Sequence, residues 1–438
     1  MKTKPRCSLG AWALLCVLVV GNSIVGHSLA APADASAKVV ITETVRLPYE
    51  QLVAARARLQ AGDTAVGAAV AQLDAEAKKL LKIKPFSVVN KKVLPASGNA
   101  HDYFSFAPYW WPNPETKDGM PWIQLDGKIN PASRDKFSDK VSFNGLVDAT
   151  HILSTAYFFT GNKAYAQKTA ELVRVWFLDE ATKMNPHLQY AQAIPGKFTG
   201  RGIGIIDTRL FYRVLDSILL VQPSGQISAK ESAGLQQWFN TYLDWLLESP
   251  LGIEERNTLN NHGTFYDFQV AAIARYVGRD DVVRETIART QSRMKAHFDH
   301  QGKQKLELAR TRPFHYSVFN LQAFFGVAHI AESIGVDLWQ YPSTKQSNIK
   351  QGMDYLLTRM RQEKNWGGTE ELEIEADIIV PLLPEYIRRY KLSPSAYADI
   401  APASSQWSQC NLLLGSSFPS PNKKPSDNNA KKFSFCAY

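Results

Sequence analysis

The chain reads as an all-α protein, a set of helical hairpins wound into an α/α toroid or incomplete helical barrel. Three observations predict it. Apolar residues recur at helical spacing in paired segments. Short turns bearing Gly, Asn or Asp separate the members of each pair. Convincing strand alternation is almost absent. The spacing between pairs is loose and carries no sharp repeat. Periodicity alone therefore equally allows a solenoid or a plain bundle.

Residues 49–84 open the helical part. Leu52, Ala55 and Leu59, then Val66, Ala69, Leu73, Ala77 and Leu80, mark two helices divided at Gly62–Asp63. A stretch rich in Pro, Asn, Asp and Gly follows over 84–142. It holds the aromatic residues Tyr103, Phe104, Phe106, Tyr109, Trp110, Trp111 and Trp122. From Phe143 the pattern becomes helix, turn, helix. Leu146, Ala149, Ile152, Leu153, Ala156 and Tyr157 form one stripe, Gly161–Asn162 turns the chain, and 164–178 gives the next helix. Similar pairs are readable at 205–220 with 228–247, 264–276 with 280–298, and 317–334 with 345–361. A shorter helical stretch covers 370–390. After Ser393 the chain turns polar and irregular, so 31–392 is expected to form the toroid domain and 393–438 a tail.

The first thirty residues have the layout of a secretory signal. Lys2, Lys4 and Arg6 precede an apolar run over 11–20, and Ser28 and Ala30 suit cleavage just after Ala30. That run is shorter than the roughly 20 residues a membrane-spanning helix needs, and no second long one follows. Export to the periplasm or the medium is the expectation, with no membrane span in the mature chain. Cys410 and Cys436 then remain, and an exported pair can form one disulfide in the tail. The formal charge is +9, of which three units lie in Lys2, Lys4 and Arg6. A basic exported protein suits an anionic partner. No basic run or nucleic-acid motif points to DNA or RNA, and an acidic polysaccharide fits the compartment better.

Four segments carry chemistry. Asn260, Asn261, His262 and Gly263 open a helix, and two amides and an imidazole beside a helix N-terminus suit a carboxylate. Simple N-capping explains the same residues. Arg310, Thr311, Arg312, Pro313, Phe314, His315 and Tyr316 precede the helix expected from Ser317. Arg neutralises carboxylates with paired hydrogen bonds, and a tyrosine held among cations loses its proton more readily. The loop over 185–192 offers His187, Gln189, Tyr190 and Gln192 as partners for sugar hydroxyls. Tyr109, Trp110 and Trp111 suit stacking on sugar faces. His297 and His300 have a spacing that can hold a metal, but no third ligand accompanies them. Gly200, Gly202 and Gly204 lack the spacing of a nucleotide loop, and a flexible turn accounts for them.

The Asn-Asn-His-Gly segment, the Arg-to-Tyr segment and the Asn-Pro-His-Leu-Gln-Tyr-Ala-Gln loop together resemble the alginate lyase superfamily, over about residues 103–390. The nearest resemblance is to polysaccharide lyase family 38, which includes alginate and glucuronan lyases. In the family 5 pattern a Tyr lies seven residues after an Arg. Phe319 stands seven beyond Arg312 here, whereas Tyr316 lies six beyond Arg310.

The resemblance implies an α/α toroid and no required metal or cofactor. It implies β-elimination on an acidic, uronate-containing polymer: Tyr316 takes the C5 proton and protonates the departing O4, and Asn261, His262 and Arg310 offset the carboxylate charge. His187, Gln189, Tyr190, Gln192, Tyr109, Trp110, Trp111, Arg312 and His315 are the expected substrate contacts. His262 or His187 is the alternative base. The rivals are a glycoside hydrolase, with acids drawn from Glu370, Glu371, Glu373, Glu375 and Asp377, and a non-catalytic polysaccharide-binding protein.

Overall fold

A computed structural model describes residues 44–341, 348–362, 378–397 and 399–400. The signal-like start, the acids from Glu370 to Asp377, and Cys410 and Cys436 lie outside the described residues.

The protein is an α/α toroid. Its helices are α1 (Tyr49–Gln60), α2 (Thr64–Leu80), α3 (Asp139–Thr160), α4 (Lys163–Phe177), α5 (Phe211–Val221), α6 (Ala229–Glu248) and α7 (Pro250–Arg256). They continue with α8 (Asn261–Val277), α9 (Asp280–His297), α10 (Lys305–Leu308), α11 (Pro313–Glu332), α12 (Ile349–Gln362) and α13 (Leu383–Arg389). The turns end them as the sequence dictates. Asp63 accepts from the N–H groups of Ala65 and Val66, Asn162 caps α4, and Ser228 with Glu231 forms a capping box on α6. Gly161 and Gly278 close α3 and α8 with φ of 69° and 78°, where a side chain would be strained.

Burial sorts the helices into two layers. All of α5 except Leu219 is buried, as is α8 from Gly263 to Ala274. Such helices must be covered on every side. Accordingly α3 packs on α5, α5 on α8, and α8 on α11, forming the inner row. Their partners bury one stripe only. In α9 it is Val282, Val283, Thr286, Ile287, Thr290 and Met294, at three- and four-residue steps.

Among the described residues the expected lack of strands holds except for two small pairs. β1 (Phe104–Phe106) runs parallel to β4 (Tyr190–Ala193), and β2 (Trp110–Trp111) runs antiparallel to β3 (Ile123–Gln124). Strands of two to four residues are too short to show an alternation. The β1–β4 pair matters because it fixes Gln192 beside the inner helices. Gly200 and Gly204 correct the expectation of a flexible turn. A Cβ on either would overlap the backbone of Gln189 or Ala191, so the glycines permit close packing against β4.

Candidate active site

The residues that begin the inner helices gather at one end of the toroid. Lys140 lies in the first turn of α3. Asp207 and Arg209 immediately precede α5, and His315 and Tyr316 lie in the first turn of α11. The last point corrects the boundary expected at Ser317. The helix starts at Pro313, whose fixed φ and missing N–H suit a first position, and the Tyr316 N–H already donates to the Arg312 carbonyl. A cavity of about 200 Å³ lies among these residues, completed by Arg134, Tyr109, Gln192 and Phe319.

Tyr316 is the phenol of this cavity. Its hydroxyl is 3.1 Å from that of Tyr109, and the Arg310 guanidinium lies 3.9 Å from its ring centroid. Burial, with the Tyr109 hydroxyl adding to it, raises the Tyr316 pKa well above the usual phenol range. The pull of Arg310 in the other direction is smaller. A tyrosine among cations was expected to ionise readily. Here desolvation wins, and the resting group is a neutral phenol.

Asp207 organises a second part of the lining. Its carboxylate accepts from Ser105 Oγ at 2.6 Å, Tyr103 Oη at 3.2 Å and Gln192 Nε2 at 3.1 Å. Lys140 Nζ donates to the Asp207 carbonyl at 2.6 Å. Burial chiefly pulls Lys140 down to about 7; Asp207 opposes this, while Arg209 and Arg134 add to it. Gln192 has φ of 50°, uncommon for a residue with a side chain, and Arg201 donates to both its carbonyl and its side-chain oxygen. So much restraint on one strained residue at a cavity wall is typical of a binding position.

The second sequence motif adjoins the first through a residue that sequence reading missed. Asn260 is the N-cap of α8, and Asn261 begins the helix. Asn261 is buried, and its backbone N–H and its amide both donate to Glu307 at 2.7 Å. Burial raises the Glu307 pKa, and Asn261, Arg310 and His262 counter it. One buried carboxylate thus lies within the field of the amide, the imidazole and the arginine beneath Tyr316. The ring contact of Phe265 with Phe319, 4.2 Å between centroids, ties the second turns of α8 and α11 together.

His262 Nδ1–H donates to buried Glu255 at 2.8 Å, which leaves Nε2 as the ring nitrogen available to a substrate. The turn holding both residues is shaped from α9. Arg293, paired with Asp267 at 2.7 Å, donates to the carbonyls of Thr258 and Arg256. Gly263 is needed there, since a Cβ would overlap the Thr258 carbonyl and the Arg293 guanidinium.

The other expected contacts fall at varying distances from this cavity. Tyr109, Gln192 and His315 line it, and His315 stacks on Phe319. Arg312 is the N-cap of α11. His187 is not in the lining, and both its nitrogens are engaged: Nε2–H with Asp102 at 3.1 Å, Nδ1 with the Gln189 N–H at 3.4 Å. Burial lowers its pKa against the pull of Asp102. Gln189 is exposed, and Tyr190 pairs with Phe104 in the small sheet. Trp110 and Trp111 form β2 outside the lining, with Lys197 over Trp110 and the Trp111 indole N–H donated to the Lys128 carbonyl. His297 is buried against Asn320, and burial lowers it to about 4.

A cavity that offers cations to a sugar acid and a phenol to a departing oxygen is chemistry suited to elimination, and comparison with known proteins gives the same class: the chain is a polysaccharide lyase. It belongs to the alginate lyase family, whose model matches residues 87–366. Among solved structures, the crystal structure of an alginate lyase from Bacteroides ovatus at 1.60 Å resolution is 34% identical with a TM-score of 0.77. That match covers 82% of this chain and 94% of that one. No curated protein matches the chain. No helix among the described residues is long and apolar enough to cross a membrane.

Proposed function

We propose that the protein depolymerises an acidic polysaccharide made of uronates (alginate, polymannuronate or glucuronan) by β-elimination at the Tyr316 cavity. A uronate C5 proton is poorly acidic because its carboxylate is already negative, so that charge must be offset before a base can act. His262, Asn261 and Arg310 take that role, with Glu307 and Glu255 holding them in position. Tyr316 then takes the C5 proton. The C5–H electrons form the C4=C5 double bond, the C4–O4 bond breaks, and the proton passes to O4. The observation that carries this reading is the Tyr316 hydroxyl in a cation-lined cavity, with Arg310 against its ring.

The raised pKa of Tyr316 favours a second assignment of the proton steps. A neutral phenol is already a proton donor for O4, and His262, with Nδ1 fixed by Glu255, has Nε2 available as the base. His262→Gln separates the two. Under the first assignment it weakens charge neutralisation and leaves the alkaline pH limb in place. Under the second it removes the base and with it the acidic limb of the pH profile.

The basic, apolar start of the chain supports export, and Gln189, Tyr190, Trp110 and Trp111 are proposed contacts for the outer sugars of a long chain. A panel of acidic polysaccharides, followed by ultraviolet absorbance and mass spectrometry, tests the reading. The expected product carries an unsaturated uronate at its new non-reducing end. Products lacking that double bond would instead mean hydrolysis, and no shortening of any chain would mean binding only.

A further inference from the structure

The lining of the Tyr316 cavity carries more positive charge than one reacting carboxylate requires. Arg134, Lys140 and Arg209 all line the cavity. They lie close enough for Arg209 and Arg134 both to disfavour the charged form of Lys140. The one acid among them, Asp207, accepts from Ser105, Tyr103 and Gln192 and pairs with Lys140 at 3.7 Å, so it can balance one of the three cations and not all. Arg209 lies over the Phe319 ring at 5.3 Å, and no hydrogen bond from its guanidinium is recorded among the described residues. Three cations around one carboxylate leave an excess of positive charge, at a cost an anionic ligand would offset.

We infer that Arg209, with Lys140 and Arg134, binds a second carboxylate, that of the sugar next to the one losing its C5 proton. This rests on the lyase reading above and extends it to substrate pattern. The enzyme requires two uronates in succession across the cleaved bond, and a uronate flanked by neutral sugars is a poor substrate. The geometry fits. Phe319 links Arg209 to the Tyr316 side of the cavity, with Arg209 over its ring and His315, the neighbour of Tyr316 in the chain, stacked on it. Gln192, held by Asp207 and Arg201, stands on the same wall as a hydroxyl partner for that second sugar.

The test compares a fully acidic polyuronate with the same polymer after partial carboxyl reduction, which isolates uronates among neutral sugars. Wild-type protein is expected to cut the reduced polymer at least tenfold more slowly per remaining uronate. Arg209→Gln should lose tenfold or more in kcat/KM on the acidic polymer, mostly through KM, and change less than about threefold on the reduced one; Arg209→Lys should restore part of the difference. Equal loss on both polymers would overturn the inference, because Arg209 would then serve the reacting carboxylate. No loss on either would overturn it as well. Calorimetric binding of a saturated uronate trisaccharide to the full-length Arg209→Gln protein reads the site without turnover. Weaker binding than wild type supports the site even if no polymer yields an unsaturated product, an outcome that would defeat the lyase reading alone. Unchanged trisaccharide affinity would count against the site.

Discussion

The two ends of helices α8 and α11 handle charge in opposite ways. At their C-terminal ends lies a cavity of about 310 Å³, larger than the one at Tyr316. Ion pairs lie in and beside it. Arg389 meets Glu332, and Arg46 reaches Glu385 at 2.7 Å with both side chains almost wholly buried. Burial opposes ionisation of Glu385, yet Arg46 and His329 hold its carboxyl well below the usual range. The start of the described chain is fixed nearby, because Asp216 of α5 accepts from the N–H groups of Val45, Arg46 and Leu47. At the N-terminal ends the cations outnumber their acceptors, a glutamine is strained, and a phenol is buried. Charges that satisfy one another hold a fold together. Charges left in excess wait for a ligand.

The comparison breaks most visibly if the paired end proves catalytic. Glu385→Ala leaves Arg46 buried without its partner and should cost about 3–5 kcal/mol of stability. Thermal or denaturant unfolding reads that loss, while turnover per folded molecule should stay near wild type. A selective loss of turnover would remove the distinction between the ends. A smaller effect is expected at Glu307. Glu307→Gln takes one good acceptor from Asn261, worth about 1–3 kcal/mol, and should lower kcat with KM nearly unchanged. An unchanged kcat would detach the Asn261 motif from the site.

The smallest effect concerns pH. Lys140 sits near 7 in the free protein, and a bound carboxylate favours its charged form. Substrate binding therefore takes up a proton above about pH 7, and KM should rise with pH there, by at most about tenfold per unit. Asp207, Arg209 and Arg134 face the same amine. Lys140→Arg keeps the charge at all these pH values and should flatten the rise. A KM that ignores pH in both proteins would place Lys140 outside the binding wall.

Much of this was legible in the sequence. Helical periodicity and the turns at Gly62–Asp63 and Gly161–Asn162 located most of the helices to within a few residues. The family resemblance was readable from three short segments. What escaped was the partnership of distant charges. Lys140, Asp207, Arg209 and Glu307 are single charged residues at or near helix ends, where capping and the helix dipole explain a charge equally well. Glu307 and Asn261 lie 46 positions apart, and only the packing of α10 against α11 and α11 against α8 brings them together. The glycines at 200 and 204 misled for a related reason. Close approach to β4 leaves no local trace distinct from flexibility. The state of Tyr316 was missed because desolvation is a property of the folded surroundings, and the neighbouring arginines in the sequence suggest the opposite shift.

The most direct measurement is the turnover of Tyr316→Phe on a polyuronate that the wild-type protein cleaves, with binding of a saturated oligouronate measured in parallel. The phenol is the group assigned to move the proton, so kcat should fall by about 10²–10⁴, while affinity for the oligosaccharide stays within a few-fold of wild type. Near-normal release of unsaturated ends from the phenylalanine protein would mean that the proton travels by another route.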